Sequence, residues 1–145
     1  MIRKLKKKDK ENCAKLYNGY AKFYKVPMYK GSLDTVWCWI HDESHIVNGI
    51  CFELENKFVR ISHYRTMPRP IKGQCEGFLD DLFIEPDFRG KKIAQKLINH
   101  LKSLSKANNW DEIRWITHSS NENAKKLYDK IANNTGFELY ELKRD

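Results

Sequence analysis

The sequence predicts a single α/β domain in which helices cover the faces of a mixed β-sheet. The chain has 145 residues, the length of one domain, and this domain is assigned to residues 1–145. A chain of this size buries about two-thirds of its unfolded surface and needs no disulfide or metal ion to fold. Its hydrophobic fraction of 41% is typical of a globular protein. Segments with apolar residues at a period of two alternate with segments that have them three and four positions apart, which indicates strands and helices in alternation.

The N-terminal part is predicted to form a strand and two helices. Residues 2–5 alternate apolar and basic side chains, which favours a short strand. From Asp9 the apolar residues fall three and four positions apart, so a helix is expected there. That helix should end before Pro27, because the residue preceding a proline avoids helical backbone angles. Ser32 is placed to cap a second helix that runs through Ile40.

Three strands are predicted in the middle of the chain. Residues 46–54 and 58–66 are rich in β-branched and aromatic side chains, and their short polar connection is of the hairpin type. Segment 67–73 contains two prolines and a glycine and is expected to be a loop. Residues 78–84 form a third long strand, which Pro86 closes.

The C-terminal part continues the alternation of helices and strands. Residues 91–107 make the most regular amphipathic helix, residues 112–117 a strand, and residues 121–132 a further helix. A final strand is predicted over 137–142. The resulting order, β-α-α-β-β-β-α-β-α-β, is that of a mixed α/β sheet with helices on its faces.

Composition excludes some functions and leaves others open. The net charge of +8 permits an anionic partner, either nucleic acid or a nucleotide cofactor, but no RNA-binding signature accompanies it, so nucleic acid is not the expected partner. No apolar run is long enough to cross a membrane, and the basic N-terminus lacks the apolar stretch of a signal peptide, so a cytoplasmic protein is expected. The four cysteines form no CxxC pair, and His41 and His45 are too isolated for a zinc site, so no metal is expected.

The junction between strand 78–84 and the next helix is the most informative segment. It places Arg89, Gly90, Lys91 and Lys92 at the mouth of the helix. The first N–H groups of a helix have no internal partner and its dipole makes this end electropositive, so the segment suits a pyrophosphate. The alternative is a basic helix start with no ligand.

A second segment separates these alternatives. Asn121, Ala124, Leu127 and Tyr128 lie on the helix after the next strand, with Gly136-Phe137 beyond it. Together with the run Arg89 to Ala94, this pattern resembles the two motifs of the GCN5-related N-acetyltransferase (GNAT) superfamily. The resemblance covers nearly the whole chain and implies a mixed, mostly antiparallel sheet. The local sequence is most similar to that of the branch that acts on polyamines and free amino acids, whose members often form homodimers.

The resemblance implies a binding site for acetyl-CoA. Backbone groups of the strand would pair with the pantetheine arm, backbone N–H groups at the helix mouth would hold the pyrophosphate, and the second motif would contact the distal part of the cofactor. The implied cofactor-binding residues are Leu82, Phe83, Ile84, Arg89, Gly90, Lys91, Lys92, Ile93, Ala94, Gln95, Asn121 and Ala124. Lys92 stands where the family usually has glycine; in ordinary helical backbone it can still donate its N–H group, whereas a positive φ would strain it and weaken binding.

The resemblance also implies two catalytic side chains. Tyr128 would act as the general acid that protonates the departing CoA thiolate, because a phenol can give a proton without being charged at rest; the alternative is a core residue. Asp80 matches the acidic position that polyamine acetyltransferases use near the amine, and it would hold the acceptor ammonium and pass on its proton through water. Its alternative is a salt bridge to a neighbouring strand. Strict alternation would place Asp80 and Asp81 on opposite faces of the sheet.

The acceptor is the least determined part of the prediction. Tyr24, Trp37 and Asp80 are the candidate substrate-binding residues, and the two aromatic side chains have a core role as the alternative. His63 and Tyr64 are second candidates for the chemistry. The expected function is acetyl transfer from acetyl-CoA to a primary amine of a small molecule. Acetylation of a protein N-terminus or lysine, and a non-catalytic basic module that binds CoA or RNA, remain the alternatives.

Overall fold

The computed structural model describes residues 1–55, 57–82 and 91–145. Its sheet has the order β1-β2-β3-β4-β5. The strands are Ile2–Lys4 (β1), Val47–Leu54 (β2), Lys57–Arg69 (β3), Gln74–Leu82 (β4) and Ile113–Trp115 (β5). The helices are Lys10–Tyr24 (α1), Ser32–His41 (α2), Lys91–Asn108 (α3) and Glu122–Ile131 (α4). The first four strands pair antiparallel and β4 pairs with β5 in parallel, which confirms the predicted mixed, mostly antiparallel sheet.

Two hydrophobic cores lie on opposite faces of the sheet. Successive residues of a strand point to opposite faces, so Ile50 and Cys51 of β2 belong to different cores. One core joins β2 and β3 to α1 and is composed of Leu5, Cys13, Leu16, Cys51 and Ile61. The other joins the sheet to α3 and is composed of Ile50, Tyr64, Leu79, Leu97, Leu101 and Trp110. Helices therefore cover both faces, as the sequence predicts.

The helix ends differ in detail from the prediction. α1 ends at Tyr24, and Lys25 adopts the left-handed conformation with φ 52°, where its N–H group bonds the carbonyl of Ala21. This is a common helix ending and it precedes Pro27, as expected. The residue that caps α2 is Gly31, at φ 80°, and not the predicted Ser32, which is the first helical residue. A residue at positive φ favours glycine, so the chain uses Gly31 to turn into the helix.

β3 is longer than predicted and includes part of the expected loop. It runs to Arg69, and Pro68 pairs with Cys75 of β4. The pairing with β2 ends at Arg65, so the last residues of β3 have a strand neighbour on one side only. A proline without an N–H group is tolerated on such an edge, where it costs no hydrogen bond between strands.

The predicted final strand over 137–142 is wrong. Residues 132–145 form neither helix nor strand, and Phe137, Leu139, Tyr140 and Leu142 are exposed. The alternating pattern suits a strand. A strand also needs a neighbouring strand edge to pair with and a core to cover, and this segment reaches neither. Its recorded contact with the sheet is Arg114, whose guanidinium lies 5.6 Å from the centre of the Phe137 ring.

Candidate active site at the end of β4

The candidate site lies where β4 continues beyond the end of its parallel neighbour β5. β5 pairs with β4 over residues 77–79, whereas β4 continues to Leu82. Beyond Leu79 the edge of β4 that faces β5 is therefore not paired with it. An extended ligand can bind such an edge through main-chain hydrogen bonds, as an added strand would.

A β-bulge sets the direction of the acidic side chains on β4. His63 of β3 lies opposite Asp81, and the next residue, Tyr64, lies opposite Leu79, so Asp80 is the extra residue. Asp81 bonds His63 and Asp80 bonds Arg65, and these two partners lie two residues apart on one face of β3. Both carboxylates therefore face the α1 side of the sheet, and the expectation that they point to opposite faces is wrong.

Asp80 forms the salt bridge that the sequence left as its alternative role. The Nε atom of Arg65 donates to both carboxylate oxygens of Asp80, at 3.0 and 3.1 Å. The Arg65 guanidinium also lies 4.8 Å from the centre of the Phe78 ring, which fixes its position. Asp80 is thus held by a cation on the neighbouring strand. Its role toward an acceptor amine stays a prediction.

Asp81 belongs to a hydrogen-bonded chain that reaches α1. Its Oδ2 atom lies 3.0 Å from Nδ1 of His63, and the hydroxyl of Tyr17 lies 2.9 Å from Nε2 of the same ring. His63 is buried, whereas 46% of the Asp81 side chain is exposed. Burial and the neighbouring Asp81 raise the pKa of Tyr17 well above its usual value, so this phenol keeps its proton. Tyr64, the other second candidate, points into the opposite core beside Trp110.

Tyr128 is positioned by α4 and by β5. Asn121 caps α4, and its side-chain oxygen accepts a hydrogen bond of 3.3 Å from the N–H group of Ala124. The Tyr128 ring packs edge-to-face against Trp115, the last residue of β5, and the two ring centres lie 5.4 Å apart. The tyrosine therefore lies at the point where β5 ends.

A buried arginine lies within electrostatic reach of Tyr128. Arg60 of β3 is 3% exposed, and none of its three side-chain nitrogens has a hydrogen-bond partner among the described residues. It lines a cavity of about 10 Å³, together with Ile50, Ser62 and Leu97, which is room for about one water molecule. Burial lowers the pKa of Arg60 to about 10, and the charge that Tyr128 carries when ionised opposes this shift. A buried cation without a partner is costly.

Replacing Arg60 with methionine is expected to stabilise the protein. The variant Arg60→Met removes a buried charge that has no hydrogen-bond partner among the described residues, and it keeps most of the volume, so the free energy of unfolding should rise by about 1–3 kcal/mol. Thermal unfolding at neutral pH measures it. Arg60→Lys is the matched control, because it keeps a buried cation and should give no rise. A lower midpoint for Arg60→Met than for the unsubstituted protein would show that the guanidinium has a partner that stabilises it.

The predicted cofactor residues are described only in part. Phe83, Ile84, Arg89 and Gly90 lie outside the described residues. The backbone of Leu82 ends β4, and α3 begins at Lys91 with no acidic residue in its first turn. The side chains of Leu82, Lys91, Lys92 and Ala94 lie outside the described part. Ile93 is half-buried, and the exposed Gln95 donates to Asn99. A basic helix start that follows a free strand edge has the chemistry that a nucleotide thioester needs.

The candidate acceptor residues Trp37 and Asp80 lie on different elements, α2 and β4. Trp37 is partly buried against the α1 core, and its ring centre lies 4.7 Å from that of His41, which favours the core alternative. Tyr24 is the last residue of α1, and its side chain lies outside the described part. Tyr17 and Arg60 are the functional candidates that the sequence reasoning missed. An arginine between the β-branched residues Val59 and Ile61 is a visible signal for Arg60, whereas Tyr17 looks like any aromatic residue on an apolar helix face.

Two further features are absent from the described part of the chain. It contains no helix long and apolar enough to cross a membrane. No cluster of three or more histidine, cysteine, aspartate or glutamate side chains suited to a metal ion occurs in residues 1–55, 57–82 and 91–145.

Known proteins similar to this chain agree on its family. Residues 13–132 match the model described as the acetyltransferase (GNAT) family. The chain is 24% identical to the D-amino-acid N-acetyltransferase HPA3 of Saccharomyces cerevisiae, over 97% of this chain and 88% of that protein.

Solved structures share the fold at lower identity. A ribosomal-protein-alanine N-acetyltransferase from Brucella melitensis biovar Abortus 2308 superimposes with a TM-score of 0.79 at 22% identity, covering 99% of this chain and 98% of the other. An aminoglycoside acetyltransferase from an uncultured soil metagenomic sample, in complex with sisomicin, gives a TM-score of 0.79 at 13% identity, covering 99% and 96%. With a family match over most of its length and this sheet and helix arrangement, the chain belongs to the acetyltransferase (GNAT) family and is an acyltransferase.

Proposed function

We propose that this protein transfers an acetyl group from acetyl-CoA to the primary amine of a small, polyamine-like or amino-acid-like molecule. The observation that carries the proposal is that β4 continues to Leu82 beyond the end of β5, which lies opposite Leu79, and that the basic start of α3 comes next among the described elements. The family uses acetyl-CoA as its acetyl donor. The activity that the yeast relative is named for, on D-amino acids, supports an amino-acid-like acceptor.

Each part of this surface has a role in the proposal. The free edge of β4 up to Leu82 would bind the pantetheine arm, and backbone N–H groups at the start of α3 would bind the pyrophosphate. Acetyl-CoA, when bound, supplies the activated thioester. Tyr128 would donate a proton to the CoA sulfur as the thiolate leaves. The carboxylates of Asp80 and Asp81, on one face beside this edge, would attract the acceptor ammonium.

Several finer expectations stay predictions. They concern a single domain over 1–145, a cytoplasmic location, a homodimer, and the part played by Tyr24 and Trp37 in acceptor binding. The exposed apolar side chains of Phe137, Leu139 and Leu142 support the homodimer, because contiguous apolar surface often lies at protein interfaces. Acetylation of a protein amine is the alternative acceptor class.

Acetyl-CoA is expected to stabilise the purified protein against heat. A ligand that binds only the folded state adds roughly 2.7 kcal/mol when present at about 100 times its Kd. The thermal midpoint should therefore rise by several degrees, since about 1 kcal/mol shifts a domain of this size by roughly 3 °C.

The control ligand is dephosphorylated pantetheine, which lacks the pyrophosphate and should give a much smaller shift. No rise with acetyl-CoA would count against the proposed cofactor site. A rise with acetyl-CoA should be followed by an acceptor screen that begins with amino acids and polyamines.

A further inference from the structure

We propose that Tyr17, His63 and Asp81 form a proton relay that removes the proton from the acceptor ammonium before it attacks the thioester. This inference rests on the proposed function and assigns its general base. It names His63 as the residue that takes up the proton, Tyr17 as the group that delivers it, and Asp81 as the residue that positions the ring.

The hydrogen bonds determine which ring nitrogen is free to accept a proton. The carboxylate of Asp81 can only accept, so Nδ1 of His63, 3.0 Å away, carries the hydrogen of that bond. In the neutral ring Nε2 is then an acceptor, and it receives the hydroxyl hydrogen of Tyr17 at 2.9 Å. The Tyr17 oxygen also lies 3.1 Å from Nδ1, so the hydroxyl is close to both ring nitrogens. The side chains thus form a continuous chain from α1 through β3 to β4.

Burial gives this chain a protected centre and an accessible end. His63 is 3% exposed and lies beneath Tyr17, which is half-buried, whereas the Asp81 side chain is 46% exposed. Asp81 directly precedes Leu82, the last described residue of β4 and the one proposed to bind the pantetheine arm. The Tyr17 oxygen lies 3.1 Å from Nδ1, the ring nitrogen that bonds Asp81, so the group proposed to deliver the proton is close to this exposed end of the chain. Water cannot surround the buried imidazole.

The ionisable groups around His63 leave the relay as the available proton acceptor. From α1, Cys13 is a neutral thiol, since burial raises its pKa to about 12. From β2, the residue opposite His63 is Gly49, which carries no charge. From β3 and β4, Arg65 and Asp80 form a salt bridge with each other. Asp81 is then the charged group in contact with the ring among the described residues.

The proton transfer balances without any further reactant. The acceptor ammonium gives a proton to the Tyr17 oxygen, directly or through one water molecule, while Tyr17 gives its own hydroxyl proton to Nε2 of His63. The amine becomes neutral, and its lone pair is free to attack the thioester carbonyl. His63 becomes an imidazolium whose Nδ1–H group still bonds Asp81. Tyr17 is protonated before and after, which agrees with a phenol that is hard to ionise.

The test compares an amine that needs a base with one that does not. Ethylamine is protonated at neutral pH, whereas trifluoroethylamine is largely neutral and has nearly the same shape. With ethylamine, His63→Gln and Tyr17→Phe should each lower kcat/KM roughly a hundredfold. With trifluoroethylamine, the same variants should lower it by less than about threefold, because the missing step is not needed. The double variant should be no worse than either single one, since the two residues act in one chain.

Tyr64→Phe is the matched control. It removes a hydroxyl from the next residue of β3, on the opposite face, and should leave both amines unaffected. A loss of equal size with both amines for His63→Gln would mean that the ring is structural and would overturn the relay. If the unsubstituted enzyme acetylates neither these amines nor any in the acceptor screen, the proposed function fails instead. Nitrogen-15 NMR of the unsubstituted protein tests the relay independently of activity, because it requires the neutral Nδ1–H tautomer of His63, and the opposite tautomer would contradict it.

Discussion

Replacing Tyr128 with phenylalanine is expected to lower kcat for acetyl transfer about a hundredfold. The ring packs edge-to-face on Trp115, and phenylalanine keeps that contact, so the thermal midpoint and the KM for acetyl-CoA should be unchanged. The variant removes the hydroxyl that would protonate the departing thiolate. Steady-state kinetics across pH measure the effect. Because a general acid must be protonated, kcat of the unsubstituted enzyme should fall at high pH, and this fall should be absent from the variant.

Tyr140→Phe provides the control for that experiment. Tyr140 is exposed in the C-terminal segment, and its hydroxyl donates to Glu138 of the same segment. Its loss should not change kcat. An unchanged kcat for Tyr128→Phe would remove Tyr128 from the chemistry, and the core role that the sequence left open would then be its function.

Replacing Gly77 with valine is expected to destabilise the fold by about 3 kcal/mol, or roughly 10 °C in thermal midpoint. Gly77 is the residue of β4 at which the parallel pairing with β5 begins. A Cβ atom there would lie 2.5 and 2.6 Å from two carbons of the Trp110 ring and 3.1 Å from Ile113. Trp110 is buried in the α3 core and has little room to move. The clash would separate β4 from β5 at the base of the proposed cofactor cleft.

Gly19 offers a matched control with the opposite expectation. It lies inside α1, and a Cβ atom added there would meet nothing within 4 Å. Gly19→Ala should therefore raise the free energy of unfolding by about 0.5–1 kcal/mol, because alanine loses less conformational freedom in a helix. Chemical denaturation measures both variants. Equal stability of Gly77→Val and the unsubstituted protein would mean that Trp110 can leave its place in the core.

A charged residue buried at the β3–β4–β5 junction shows how the same part of the sheet is held together. Glu76 is 2% exposed; Arg69 Nη1 donates to its Oε2 atom at 2.8 Å, and Arg114 Nε lies 3.5 Å from Oε1. These arginines belong to β3 and β5, so one carboxylate of β4 links it to both neighbours. Removing only one member of such a buried ion pair is costly, because the remaining charge is left without compensation. β4 is thus held to both neighbouring strands just before the part that continues beyond β5.

Local patterns in the sequence were sufficient for most of the fold. Spacings of three and four predict α1, α2, α3 and α4, and β-rich runs predict the five observed strands, because each pattern reflects burial of one face of an element. The motif with Asn121 and Tyr128 also predicted the family. Where prediction and structure differ locally, the difference concerns backbone choices at element ends, such as the left-handed Gly31 that caps α2.

The arrangement of the candidate site depended on contacts that the sequence does not show. The bulge opposite His63 turns Asp80 and Asp81 to one face, and strict alternation could not predict it, because the extra residue is defined by the partner strand. Tyr17 and His63 meet although 46 residues separate them along the chain. The pattern of 137–142 was read as a strand, but no neighbouring edge accepts it. Periodicity reports which face of an element is apolar, whereas strand register and the pairing of buried polar groups are set by neighbours distant in sequence. The family and the secondary-structure elements could therefore be predicted from the sequence alone. The contacts between the candidate catalytic side chains were decided by the tertiary structure.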